Sequence, residues 1–193
     1  MASIVGICNG ALNQLGATTI LSLTEDSKNA RLCNSRYTQV RDGLFRTHPW
    51  NCLQKRIQIA ADSTAPAWGF KFAYTLPADC LRLLKILDYD SNYKVEGRKV
   101  LSNTETMKIL YVARVIDPNE YDELLRETLS ASLSADIAFA VTSNNTTSQN
   151  MYQLYQQKLK DARFVDSTEG QNVDQDLGMA DVIDASKFIK SRV

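Results

Sequence analysis

His48 is the only histidine of the chain and stands four residues before Cys52. An imidazole beside a thiol is the minimum equipment for nucleophilic catalysis, provided the two side chains come within hydrogen-bond reach. Pro49-Trp50 lies between them and marks a helix end, where His48 is expected to cap or pack. Paired carboxylates would be a second chemistry. Glu120, Glu123 and Glu127 recur at helical spacing and could support sugar hydrolysis only by flanking a cleft; on an exposed helix face they serve solvation. Gly6 and Gly10 precede no Lys-Ser/Thr pair, so no phosphate-cradling loop is written here. Asp88 and Asp90 lack the glycine and downstream glutamate of a calcium loop. Cys8, Cys33, Cys52 and Cys80 are widely spaced, with no C-x-x-C pair or histidine pattern suited to zinc, and are expected to be buried thiols. The residues therefore assign no catalytic, cofactor-binding or metal-binding role.

Charge narrows the field further. Lysine plus arginine equals aspartate plus glutamate at 22 each, so composition gives no general affinity for nucleic acid or anionic membrane. The distribution is uneven, however. Residues 28–60 carry Lys28, Arg31, Arg36, Arg41, Arg46, Lys55 and Arg56 against the single acid Asp42, whereas residues 166–193 carry six acids against three bases. Opposed segments of this kind steer contacts with a second copy or a protein partner and fix their register. Arginines with Tyr37 and Trp50 could touch phosphates, yet overall neutrality describes a protein that tolerates DNA nearby without gripping it. There is no signal-peptide pattern and no apolar run of the roughly 20 residues needed to span a bilayer, so the expectation is a protein made in the cytoplasm. The sequons at Asn144 and Asn145 then mark only a polar loop.

The elements that must position these residues fall in a simple order. Ser3 is placed to cap a helix with Ile4, Ile7, Cys8, Ala11, Leu12 and Leu15 on one face and Gly16 as its stop. A second helix begins near Asp26 or Ser27 and puts Ala30, Cys33, Tyr37, Val40 and Leu44 on a seam, with its arginines largely off it. After His48-Pro49-Trp50 the period changes to two. Leu53 to Ile59, Phe70 to Tyr74, Leu83 to Tyr89 and Met107 to Ile116 read as strands, with a hairpin turning at Gly97: about five strands in residues 52–116. Asp117-Pro118-Asn119-Glu120 reads as the capped start of a helix of about 25 residues through Leu124, Leu125, Leu129, Leu133, Ile137 and Val141. A fourth helix places Met151, Tyr155, Leu159 and Ala162 on a stripe and fades after Arg163. From Asp166 the chain reads as an acidic arm that regains apolar residues at Val182, Ile183, Phe188 and Ile189. The expected class is α+β: an antiparallel bundle of about four helices (1–51 and 117–165), an inserted small antiparallel β domain (52–116) and an extended arm (166–193).

Several ordered motifs resemble the head-to-tail adaptor proteins of short-tailed bacteriophages, called tail tubular protein A in some systems and packaged-DNA stabilisation protein in others. They are Ala11-Leu12-Asn13-Gln14-Leu15-Gly16 with Ile20 and Ser22-Leu23-Thr24-Glu25, then Tyr37, Arg41-Asp42 and His48-Pro49-Trp50. Tyr74-Thr75-Leu76-Pro77-Ala78-Asp79-Cys80-Leu81-Arg82 and Tyr93-Lys94-Val95-Glu96-Gly97-Arg98 follow, with Asp117-Pro118, Tyr121-Asp122, Leu129-Ser130-Ala131 and Leu133-Ser134-Ala135 completing the pattern. The resemblance covers about residues 1–170. It implies a structural virion protein, a twelve-copy ring between the portal protein and the tail nozzle protein, extending the DNA channel and helping to retain packaged DNA. DNA would pass without sequence-specific binding, and no membrane or cofactor is involved. It further implies that Val182, Ile183, Phe188 and Ile189 of the arm dock on portal, and it leaves Arg31, Arg41, Glu120, Glu123 and Glu127 as candidates for contacts between subunits. Some proteins resembling this family are associated with cell-wall hydrolysis, which makes a peptidoglycan hydrolase the enzymatic alternative.

Overall fold

Ser3 accepts a hydrogen bond from Gly6 N–H at 2.9 Å and starts helix α1, Ile4–Gln14, as its spacing predicts. The computed structural model describes residues 2–87 and 92–169; the Asp88/Asp90 pair and the expected arm from residue 170 onward lie outside the described residues. Ser27 caps α2, Lys28–Thr47, in the same way, accepting from Ala30 N–H. The two are joined by a loop pinned through one side chain. Asn9 Nδ2 donates to Ile20 carbonyl at 2.9 Å while its Oδ1 accepts from Ile20 N–H at 2.8 Å, so Ile20 enters the core and Leu21 is left 94% exposed.

The β region forms two three-stranded antiparallel sheets, one more strand than the sequence predicts. In the first, β1 (Gln54–Ile59), β6 (Met107–Ala113) and β3 (Cys80–Leu87) lie in the order β1-β6-β3; in the second, β2 (Phe72–Thr75), β5 (Lys99–Ser102) and β4 (Lys94–Glu96) lie in the order β2-β5-β4. Gly97 turns the β4–β5 hairpin with φ +58, the left-handed geometry that glycine adopts without steric cost. The central strand β6 buries Met107, Ile109 and Tyr111 at alternate positions. β1 departs from the expected apolar face, because Ile57 is 42% exposed while Leu53 and Ile59 alone reach toward the core.

The long helix starts later than its sequence suggests. Pro118–Glu120 is a single 3-10 turn capped by Asp117, which accepts from Asn119 N–H at 2.9 Å. Tyr121 then runs extended. Its hydroxyl donates to Val115 carbonyl at 2.8 Å and its ring meets Phe45 edge-on at 5.2 Å, and this packing draws the backbone off a helical path. Asp122 is the actual cap, accepting from Leu124 N–H at 2.9 Å, and α3 runs Glu123–Thr142. Glu120 therefore has no capping-box role. α3 ends on Ser143 in left-handed geometry, and α4 runs Asn145–Glu169, six residues past the expected fade at Arg163.

One hydrophobic cluster joins both regions, with Phe45, Trp50, Leu125, Leu129 and Leu133 from the helical part and Tyr74, Met107 and Ile109 from the sheets all fully buried. The molecule is thus an α+β fold with four helices among the described residues. α1 packs against α3 at Gly10, where a Cβ would stand 2.6 Å from Ser130 Oγ, and that hydroxyl donates to Ile7 carbonyl at 3.2 Å.

Gly10→Ala should therefore destabilise the fold by on the order of 1 kcal/mol, the overpacking outweighing the helix propensity that alanine adds. Gly10→Ala combined with Ser130→Ala should recover most of the loss. Urea midpoints measure both; an unchanged midpoint for the single variant would show that the helices have room to separate.

Burial raises the phenols of Tyr37, Tyr74, Tyr111, Tyr121 and Tyr155, and Tyr111, which also faces Asp79, is pushed up to about 12. A group whose folded pKa exceeds its unfolded value gives stability that is complete below the unfolded pKa and is lost as pH rises through the folded one. The phenols' contribution to the unfolding free energy should hold below about pH 10 and fall above it. Followed residue by residue with ring-labelled tyrosine, these five phenolates should appear together with loss of helical circular dichroism; all five titrating near pH 10 with the fold intact would contradict this.

Candidate functional site

The His-Pro-Trp motif builds the most densely connected polar junction near the sequence-predicted chemistry. Proline at 49 pushes His48 into extended geometry, φ −144 and ψ 150, which ends α2 and turns the imidazole back along the helix. Its ring sits edge-on to Trp50 at 4.8 Å, and Trp50, 1% exposed, directs its indole N–H to Leu44 carbonyl at 3.4 Å. The partner of His48 comes from the far end of the chain. Asp166 Oδ2 stands 3.0 Å from His48 Nε2, Asp166 Oδ1 accepts from Asn51 N–H at 2.9 Å, and Asn51 Nδ2 donates to Asp166 carbonyl at 2.6 Å. One turn earlier, Arg163 Nη2 donates to Thr47 carbonyl at 3.2 Å, across the last carbonyls of α2.

A histidine oriented by an aspartate is two-thirds of a catalytic triad, so the thiol nearby decides what this junction can do. Cys52 is partly buried. Burial pushes its pKa up, and the nearby charges of Asp166 and Asp122 add to the rise, so the sulfur is held as a thiol when nucleophilic attack needs the thiolate. Cys8 is likewise pushed up, by its contact with Cys33 and by burial, and burial raises Cys80. What His48 and Asp166 do in this fold is attachment: they bind the last turns of α4 to the point where the chain passes from α2 into β1.

Two further polar constructions brace the same region. Arg41, expected off the seam and at a subunit contact, is instead 5% exposed inside the chain. Its Nε donates to Asp42 Oδ1 at 2.8 Å, Arg114 Nε donates to Asp42 Oδ2 at 2.7 Å, and the Arg41 guanidinium lies 5.8 Å over the Tyr37 ring. Sharing one carboxylate between two guanidiniums, with an aromatic face beside one of them, is what permits a buried arginine here. Elsewhere, arginines tie down the entry to β3: Arg98 donates to Pro77 carbonyl in the loop before it, Arg46 to Leu81 carbonyl within the strand, and Arg82 Nη1 to Arg46 carbonyl at 3.2 Å.

The other predicted site residues are dispersed. Arg31 is at the surface with Asp26 at 2.5 Å, and Glu120 is exposed on the 3-10 turn. Glu123 and Glu127 line one cavity of about 240 Å³ beside Ser3 and Gly6, and Glu120 does not. Each of the two accepts from a cation, Glu123 from Arg126 and Glu127 from Lys158 at 2.5 Å. Val182, Ile183, Phe188 and Ile189 lie outside the described residues. Among the described residues no group of three His, Cys, Asp or Glu side chains is placed to hold a metal ion, and no helix is long and apolar enough to cross a membrane. Asp166 is the residue that sequence reasoning missed, assigned to the acidic arm although it continues the stripe of Tyr155, Leu159 and Ala162 by one more helical step. No protein-family model matches the chain, and no curated protein does.

Asp166→Ala should cost about 1–3 kcal/mol, because Asn51 N–H and His48 lose a buried partner. Exposed Glu169, on the same last turn, serves as the control: Glu169→Ala should stay within about 0.5 kcal/mol of the parent. Hydrogen exchange across residues 159–169 should accelerate in the first variant and not in the second.

Proposed function

We propose that this chain is a structural virion protein, a head-to-tail adaptor that forms a ring between portal and tail nozzle of a short-tailed bacteriophage and extends the channel for DNA. The observation that carries the reading is the role of its shared motif residues in the fold. His48-Pro49-Trp50 forms the turn out of the bundle, Pro77 and Leu81 at the entry to β3 are held by Arg98 and Arg46, and Tyr121-Asp122 forms the return into α3. These residues fix how a β region sits on four helices, and none of them forms a substrate cleft. That pattern suits a part whose work is shape and contact. A neutral chain with opposed basic and acidic segments also suits repeated contacts around a ring without tight hold on DNA.

In this reading Arg31 and Glu120 remain at the surface for a neighbouring subunit, while the arm beyond the helices reaches portal through Val182, Ile183, Phe188 and Ile189. Mixing the full chain with its cognate portal and imaging by electron microscopy should give an added ring of about twelve copies, a closed cyclic arrangement. Absence of co-assembly would overturn the proposal. Deleting residues 177–193 should weaken portal attachment and leave the melting temperature within about 2 °C, since surface losses away from the core are small. Undiminished attachment by the shortened chain would remove the arm from the mechanism.

A further inference from the structure

Three of the four outer strands have edges that are occupied or short among the described residues. Beside β2, Asp62 N–H donates to Ala73 carbonyl at 2.7 Å and Thr75 N–H donates to Asp62 Oδ1 at 3.2 Å. Arg46 donates to Leu81 carbonyl in β3, and β4 is only three residues long. β1 is different. It is six residues long and pairs with β6 alone, and among the described residues no hydrogen bond from outside that ladder reaches the backbone of residues 55–59. Alternate residues of an antiparallel strand turn both N–H and C=O to the same side, so β1 offers a row of donors and acceptors to a further strand.

Lys55 and Arg56 guard such an edge only if like charges must face each other, and register decides that. Within the chain Lys55, Ile57 and Ile59 stand opposite Tyr111, Ile109 and Met107, the buried face of β6, while Arg56 and Gln58 stand opposite Leu110 and Lys108 on the other face. A two-fold axis perpendicular to the sheet keeps these faces when β1 meets β1 of a second copy. Centred on Lys55 or Arg56, it would set a cation against its own copy; centred on Gln58, it would pair residues 57–59 alone. Centred on Ile57, it pairs residues 55–59 with no like charges opposed. Ile57, 42% exposed, then covers Ile57 of the second copy. Arg56 meets Gln58, whose amide oxygen accepts from a guanidinium, and the Lys55 stem lies along Ile59 while its ammonium keeps Asp79 of its own chain, 3.5 Å away.

We propose that the free chain associates with a second copy through β1, the two strands pairing antiparallel about Ile57 so that two β1-β6-β3 sheets join into one of six strands. Main-chain hydrogen bonds supply the attachment, and the side chains select the register. With the other edges occupied or short, pairing stops at two copies and does not run on into a fibre. Five paired residues a side bury less than the roughly 1,200 Å² of a stable complex, so the pair is weak and reversible. It does not rest on the adaptor reading: contacts around a ring join two different patches, whereas this one joins a patch to itself.

Sedimentation of the full chain should pass from monomer at about 10 µM to largely dimer at about 1 mM, the range of a small interface. Ile57→Lys sets two ammoniums on the axis and should weaken association about tenfold or more, while Gln58→Glu faces Arg56 of the second copy at two places and should tighten it about fivefold. Both positions are exposed, and helical circular dichroism checks that each variant folds. Register is read by cross-linking. The two copies of residue 57 stand about 5 Å apart between Cα atoms, so Ile57→Cys should give a disulfide-linked dimer under mild oxidation; Arg56→Cys, whose copy is a diagonal neighbour at about 7–8 Å, and the parent with its own four thiols should not. A parent chain that stays monomeric up to about 1 mM would overturn the proposal. So would a dimer that Ile57→Lys leaves unchanged, or one in which Ile57→Cys fails to cross-link; the cysteine variant carries the test alone if the lysine variant does not fold. Assemblies that grow beyond two copies would overturn the closed pair.

Discussion

One carboxylate holds the two ends of this fold together. Asp166 accepts from Asn51 N–H and meets His48, so the last helix is fixed to the exact turn that converts the bundle into the sheet. Without it the end of α4 would have, beyond the Arg163 contact to Thr47, no polar contact setting its final register on the α2–β1 turn, since Leu159, Ala162 and the Glu127–Lys158 pair fasten α4 to α3 only. Hydrophobic burial is non-directional and permits sliding; a hydrogen-bonded carboxylate does not. The same turn buries Trp50 and Leu53. Position of the sheet, end of α2 and end of α4 are thus set by one residue and its three contacts.

The arginines extend this logic from a point to a frame. Arg41 and Arg114 converge on Asp42, which links α2 to the segment that follows β6. Arg98 acts on the Pro77 carbonyl before β3, Arg46 on the Leu81 carbonyl within β3, and Arg82 on the Arg46 carbonyl of α2. A guanidinium offers five donors in a rigid fork and can satisfy carbonyls that a loop leaves without secondary-structure partners. The basic segment that composition alone marks as a surface for partners is therefore partly spent inside the chain. Arg31 and Arg56 remain outward, and the net positive surface is smaller than the sequence count implies.

Helix starts and strand periods were legible in the sequence because their causes are local. Ser3 and Ser27 cap the helices predicted from them, Gly97 turns the predicted hairpin, and the seam of Ala30, Cys33, Tyr37 and Leu44 is buried. The misreadings share a different cause. Asp117-Pro118 has every local mark of a helix start, yet Tyr121 must reach Phe45 and Val115, and this tertiary demand moves the start to Asp122. Arg41 sits one residue from the seam and is drawn in by Asp42 and Arg114, a pairing separated by 72 residues that no local pattern encodes. Asp166 is polar by type and core by position, so composition placed it with the acids that follow although spacing placed it with Leu159 and Ala162.

The carboxylates of α3 show why residue type without geometry is a poor guide to chemistry. A pair of glutamates acts on a glycosidic bond when one can donate a proton and the other is free to face the sugar. Glu123 is engaged by Arg126 one turn along its own helix, and Glu127 reaches across to Lys158 of α4. Each ion pair engages one carboxylate oxygen, Oε2, that would otherwise face a substrate. Glu127 with Lys158 bridges α3 and α4 on the outer, solvent-facing side, and on the inner side Thr128, bonded to Leu124 carbonyl, also lies 3.4 Å from Lys158 carbonyl across the helix pair. The residues that look most like a reaction centre in the sequence are, by their contacts, part of the way two helices are fastened.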